Sequence, residues 1–146
     1  SNLAVEDLVD SIDKIREYNG YRLPTEEEWE YAARGGAPAS SEPWAYKWAG
    51  TNEEGELGKF AWYYDNAGST THPVRQKEAN NAGLYDMSGN VAEWCFDPAN
   101  ITPLRVYRGG NYVSTPAYYC SVAFRNNLPP DLVIPGPGFR PVYSGD

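Results

Sequence analysis

The chain has 146 residues and a formal net charge of -8, with a pI near 4.6, a size that suits one domain with a real core. The acidity argues against nucleic acid and against an anionic membrane surface as partners, because phosphate recognition needs clustered Lys and Arg. No apolar run approaches the roughly 20 residues of a membrane span, so no direct membrane insertion is expected.

Residues 3–18 place Val5, Leu8, Ile12 and Ile15 three and four apart, which predicts an amphipathic structural helix stopped at Gly20. In the next segment Thr25 stands three residues before Glu28, the spacing of a capping box, and Glu26 and Glu27 suit the positive end of the helix dipole. The helix is expected from Glu26 to Arg34, with Trp29 and Ala33 inward. Consecutive glutamates on a helix point in different directions, so capping explains them better than a metal or acid-base site. Residues 36–59 read as an ordered surface loop pinned by Trp44, Tyr46 and Trp48, and Phe60 to Tyr64 has strand character. His72 is the only histidine, which removes imidazole-cluster metal sites and leaves a loop-packing role.

Around Ser88-Gly89-Asn90 a tight turn is flanked by Asp86 and Glu93, before the chain turns extended from Val91 to Phe96. Two carboxylates beside inward carbonyls can form the oxygen cage that calcium prefers, and plain turn and strand carboxylates are the alternative. Cys95 and Cys120 are too few for a disulfide framework. They are read either as buried free thiols or as one bridge between neighbouring elements.

The stretch from Arg105 to Pro141 has fixed ends, Arg108-Gly109-Gly110 and Gly138-Phe139-Arg140, around an irregular, aromatic-rich filling. Neither strand alternation nor helical spacing is sustained across it. Tyr112, Val113, Tyr118, Tyr119 and Phe124 offer contact area, and Ser114, Thr115, Asn126 and Asn127 offer adaptable hydrogen bonds, the division of labour that paratopes use. Leu128 and Leu132-Val133-Ile134 add apolar surface, the latter three as either a buried strand or an exposed patch. Arg108, Arg125 and Arg140 are expected to be structural, tied to carbonyls or carboxylates.

The ordered motifs YRLPTEEEWEYAARGG, GLYDMSGNVAEW, RVYRGGNY and GFRPV resemble the formylglycine-generating enzyme (sulfatase-modifying factor) family over roughly residues 20–142. The resemblance implies a loop-rich α+β domain, a variant of the C-type lectin-like fold with short strands and about two helices. It also implies one domain over 1–146, with an N-terminal helix in 1–19, scaffold in 20–104 and a candidate variable binding region in 105–142. It implies a structural calcium ion at Asp86, the carbonyls of Gly89 and Val91, and the Glu93 side chain, although the family's usual Trp is Ala92 here. Family oxidases hold copper through paired cysteines. Here the first position falls on Ser114 and the second near Tyr119, with Cys120 the only thiol in the region, so no copper and no enzymatic activity are expected.

The variable proteins of diversity-generating retroelements resemble this same fold and carry a diversified segment between a Gly-Gly and a Gly-Phe-Arg motif. Their adenine-directed mutagenesis of AAY codons cannot produce Glu, Lys, Gln, Met or Trp. None of those five occurs from Cys95 to Asp146, whereas they make up 23 of the first 94 residues. This branch implies a non-catalytic module that binds a protein or other macromolecule through Tyr112–Thr115, Tyr118, Tyr119, Phe124, Asn126–Leu128 and Leu132–Ile134. It also implies export or display at a cell surface, with any signal outside this sequence. The alternatives are a copper-dependent oxidase using Cys120, or a structural domain of a larger protein.

Overall fold

Thr25 fixes where the scaffold helix begins, through the two reciprocal bonds that its spacing from Glu28 predicts. In the computed structural model, which describes residues 19–36, 46–98, 104–115, 117–129, 131–132 and 136–145, Thr25 Oγ1 accepts from Glu28 N at 3.2 Å, and Thr25 N donates to Glu28 Oε2 at 2.8 Å. Helix α1 (Glu26–Ala33) follows and buries Trp29 and Ala33, with Arg34 as its C-cap. Its last turn is also held from a distance: Asn80 Nδ2 donates to the carbonyls of Ala32 and Ala33 at 2.8 and 3.1 Å, satisfying acceptors that a helix end leaves open. Two of the leading acids are engaged one by one. Arg22 grips both oxygens of Glu28 at 2.7 Å, and Arg125 Nε donates to Glu26 at 2.9 Å.

Strands β1 (Gly20–Arg22) and β5 (Val142–Ser144) pair antiparallel, so the two ends of the described chain meet. A second antiparallel sheet runs in the order β2 (Glu93–Pro98), β3 (Arg105–Arg108) and β4 (Arg125–Leu128). Residue Gly138 lies along the other side of β2: Trp94 N donates to Gly138 O at 3.0 Å and Gly138 N donates to Ala92 O at 2.7 Å. The core falls into two groups. Trp29, Ala33, Met87, Cys95, Val106 and Val122 belong to one, and Trp48, Leu57, Ala61, Ala117 and Cys120 to the other.

Two sequence expectations change. The loop predicted over 36–59 contains a 3-10 turn (Glu54–Glu56) and the start of a short helix α2 (Leu57–Phe60), which buries Leu57. The strand expected over Phe60 to Tyr64 does not form. Phe60 closes α2, and Trp62 makes a single bridge to Gly89 while its ring stacks on His72 at 3.8 Å. Strand propensity describes side chains that suit a pleated, half-buried surface, and here the Trp62 ring stacks on His72 instead. His72 has the packing role expected of it, with Nε2 2.9 Å from Ala67 O. The helix predicted over 3–18 lies outside the described residues, and among the described residues no helix is long and apolar enough to cross a membrane.

Replacing Thr25 with Ala is expected to lower stability by about 1 kcal/mol, while Ser at the same position should hold within about 0.5 kcal/mol, since it keeps the capping oxygen. Urea denaturation of the two variants checks this.

Candidate ligand-binding face

The route to the face starts at the end of β3. The Arg108 side chain is 3% exposed and ion-paired with Glu30 of α1. Its Nη1 donates to the carbonyls of Ala123 and Phe124 at 3.0 and 3.1 Å, which sets the entry into β4. Gly109 and Gly110 then turn the chain with φ of 90° and 67°, a region that side chains disfavour. A Cβ on Gly110 would run into the Tyr119 carbonyl and stand 2.9 Å from Cys120 Sγ. Residues 111–114 close a small turn: Ser114 N donates to Asn111 O at 2.9 Å, and Asn111 N donates to Ser114 Oγ at 2.9 Å. A 3-10 turn (Ala117–Cys120) follows, buried through Ala117 and Cys120.

These elements enclose an open cavity of about 340 Å³ lined by Val113, Ser114, Thr115, Tyr119, Phe124 and Asn126, together with Tyr107, Gly110 and Asn111. The first six were predicted as binding residues. Tyr118 stands beside them, 52% exposed, and its ring meets Tyr119 at 6.0 Å and Phe124 at 5.6 Å between centroids, while Tyr119 and Phe124 meet at 4.9 Å. Tyr112 is half-buried and tied back to the scaffold through its N–H, 3.0 Å from Asn90 O. Asn127 and Leu128 serve as sheet residues paired with Val106 and Arg105. Leu132 is exposed, and Val133 and Ile134 lie outside the described residues. Tyr107 and Asn111 were missed as cavity residues. Tyr107 had a signal, since β3 alternates and Val106 is the buried neighbour.

The thiols are not brought together. Cys95 and Cys120 are both free and buried, in different core groups, so no bridge joins them. Cys120 hydrogen-bonds the Ser114 hydroxyl, and burial still pushes its thiol up to about 11. The neutral thiol therefore dominates near pH 7, whereas the thiolate is the form that binds metal. The first position resembling the family's copper pair is read at Ser114 and the second near Tyr119.

The proposed calcium ligands fit the ion only at one end. Asp86 is buried at φ 58°, with Oδ2 accepting from Arg75 N at 2.8 Å and Oδ1 left with no partner among the described residues. Glu93 is different. Its Oε2 accepts from Trp29 Nε1 at 2.7 Å and Arg140 Nε at 3.0 Å, and its Oε1 accepts from Arg140 Nε at 3.1 Å and Nη2 at 2.7 Å. A carboxylate has about four acceptor sites, and donors reach both oxygens of this one from two sides. The set of Asp86, Gly89, Val91 and Glu93 therefore does not fit calcium in this arrangement, because Arg140 already neutralises Glu93. All three arginines expected to be structural are so: Arg108 and Arg140 hold carboxylates and carbonyls, and Arg125 holds Glu26.

A family model for the sulfatase-modifying factor enzyme 1-like domain matches residues 5–144. The chain belongs to this family. Treponema denticola variable protein 1 is 43% identical and superposes with a TM-score of 0.76, over 87% of this chain and 49% of that one. The inactive C-alpha-formylglycine-generating enzyme 2 of Mus musculus is 37% identical over 134 residues, 84% of this chain and 43% of its own length. The formylglycine-generating enzyme of Streptomyces coelicolor is 34% identical over 163 residues, 87% of this chain and 48% of its own length. The chain thus spans about half the length of these relatives. The expected α+β, C-type lectin-like fold of the formylglycine-generating type holds, as does the likeness to variable proteins.

Two outcomes follow from the geometry. Arg108→Ala removes a buried guanidinium that two carbonyls and Glu30 use, while Glu30 keeps Arg34, so it should cost about 2 kcal/mol, whereas Arg125→Ala removes a half-exposed pair and should cost under about 1 kcal/mol; chemical denaturation separates them. For the ion, a ligand at a hundred times its Kd adds about 2.7 kcal/mol. The expected result is a melting temperature that neither calcium nor EDTA moves, and a rise of several degrees with calcium would restore the ion to Asp86 and Glu93.

Proposed function

We propose that the chain is a non-catalytic binding module that takes a protein or other macromolecule on the face formed by Tyr118, Tyr119, Phe124 and the cavity beside them. The observation that carries this is that Ser114 stands at the first position resembling the family's cysteine pair and leaves Cys120, hydrogen-bonded to it, as the one thiol nearby, on a face whose large side chains stand in solvent: Val113 is 46%, Tyr118 52% and Tyr119 41% exposed. Rigid aromatics surrounded by small polar residues suit recognition. Similarity to a variable protein and to an inactive formylglycine-generating enzyme supports the same reading. In this proposal the side chains between Asn111 and Gly136 are the diversified ones, and the module acts outside the cell or at its surface.

The test has two arms. Dodecapeptides selected from a random phage library against the intact chain should lose at least about tenfold in affinity when Tyr118 and Tyr119 are both replaced with Ala, since exposed aromatic anchors carry 2 kcal/mol or more at hot spots. Copper-dependent conversion of a cysteine-containing peptide to its formylglycine form, abolished by Cys120→Ser, would instead make the chain an oxidase. Sequencing many copies of the locus addresses diversification: substitutions confined to the face support it, and uniform substitution removes it.

A further inference from the structure

We infer that Asn19 is a site of spontaneous covalent modification, at which the Gly20 main-chain nitrogen attacks the Asn19 side-chain amide and the Tyr143 hydroxyl assists by donating to the amide oxygen. It is independent of the binding-module reading. Asn19 is the only asparagine followed by glycine in the sequence. It is exposed and directly precedes β1, and Gly20 is the end residue of the β1–β5 ribbon, paired with Ser144. A ribbon of two strands is marginal by itself and its ends fray, which frees the Gly20 N–H to turn toward the side chain. Nothing stands within 4 Å of where a Gly20 Cβ would lie, so the space around the closing ring is open. Glycine also has the backbone freedom that the closure requires. The Tyr143 hydroxyl donates to Asn19 Oδ1 at 3.1 Å.

The step balances with water alone. The Gly20 nitrogen loses its proton to hydroxide and bonds to the Asn19 side-chain carbonyl carbon. The bond from that carbon to Nδ2 breaks, and Nδ2 leaves as ammonia after taking a proton from water. Water then opens the five-membered imide at either carbonyl, giving aspartate or isoaspartate at position 19. In the tetrahedral intermediate negative charge gathers on Oδ1, the atom that Tyr143 already touches, and a donor placed at a developing oxyanion lowers the barrier. Three other asparagines are held at both ends of the amide. Asn80 donates to the Ala32 and Ala33 carbonyls and accepts from Ala82 N and Leu84 N. Asn90 is bonded through both atoms to the His72 main chain, and Asn66 bridges Ala61 O and Tyr63 N. Turning any of these amides toward the next main-chain nitrogen breaks at least two hydrogen bonds, and the residue that follows carries a side chain. Isoaspartate at position 19 places one additional carbon in the main chain at the entry to β1, where the two ends of the described chain meet.

Incubation of the intact chain near pH 7, followed by tryptic mapping, tests this, with a synthetic copy of residues 17–22 as the unfolded reference because trypsin releases that fragment. The expected result is a gain of one mass unit on this fragment in the folded chain, together with labelling by an isoaspartyl methyltransferase. Raising the pH should speed the gain, because the attacking nitrogen must first lose its proton. Tyr143→Phe keeps the ring that meets Tyr21 at 5.3 Å and removes only the hydroxyl. It should slow the conversion about fivefold, the equivalent of one net hydrogen bond, while Tyr21→Phe leaves the rate unchanged. No mass gain in the folded chain over a period in which the free fragment converts would overturn the site, and that measurement is made on the parent chain, so it does not depend on a variant folding. A rate that ignores pH would overturn attack by the nitrogen. A Tyr143→Phe rate equal to that of the parent, with matching near-ultraviolet circular dichroism, would overturn the part given to the hydroxyl.

Discussion

A buried carboxylate organises this domain. Glu93 is 5% exposed, and an ionised acid removed from water is tolerated only when paired and hydrogen-bonded. Its partners come from far along the chain: Trp29 in α1 supplies an indole N–H and Arg140 a two-pronged guanidinium. Satisfying that one group fixes three things together. Helix α1 is placed against β2, the segment through Gly138 is drawn alongside β2, and the chain beyond Arg140 is delivered to β5, where it pairs with β1. The same guanidinium reaches the Tyr85 carbonyl at 2.8 Å, so the turn leading to Asp86 is held from the same point.

Much of this frame was legible because its signals are local. A capping box needs Thr25 and Glu28 at a fixed spacing, and that spacing is visible in the sequence. Arg108, Arg125 and Arg140 could be read as structural from their place beside fixed motifs, but their acids could not be named, since Glu30, Glu26 and Glu93 lie 78, 99 and 47 residues away. The same distance hid a contact that bears on the calcium reading. Asp86 and Glu93 flank one turn and look like a pair of ligands, while the guanidinium that answers Glu93 arrives from the far end of the chain. The strand expected over Phe60 to Tyr64 failed for another reason: a run of aromatics has more than one way to be buried, and Trp62 found His72 on one side and the Lys77 ammonium 3.7 Å from its ring centroid. Asn111 was missed as a cavity residue because it follows Gly109-Gly110 directly and reads as part of the frame.

The frame reaches the proposed binding face mainly through main-chain bonds. Arg108 holds residues 123 and 124 by their carbonyls. Trp48 Nε1 donates to the carbonyl of Ala117 at 2.9 Å, and Val122 N donates to the carbonyl of Lys47 at 2.9 Å. Tyr112 is held through its N–H. In each case the scaffold grips main chain, which every residue type presents alike, apart from the missing N–H of proline. The buried side chains under the face, Ala117, Cys120 and Val122, are small or of moderate size, whereas Val113, Tyr118, Tyr119 and Asn126 project outward. Substituting an outward group leaves these main-chain supports intact. Substituting Cys120 would instead disturb the second core group. The Cys120 thiol is, on this geometry, part of the packed floor beneath the exposed residues of the proposed binding face.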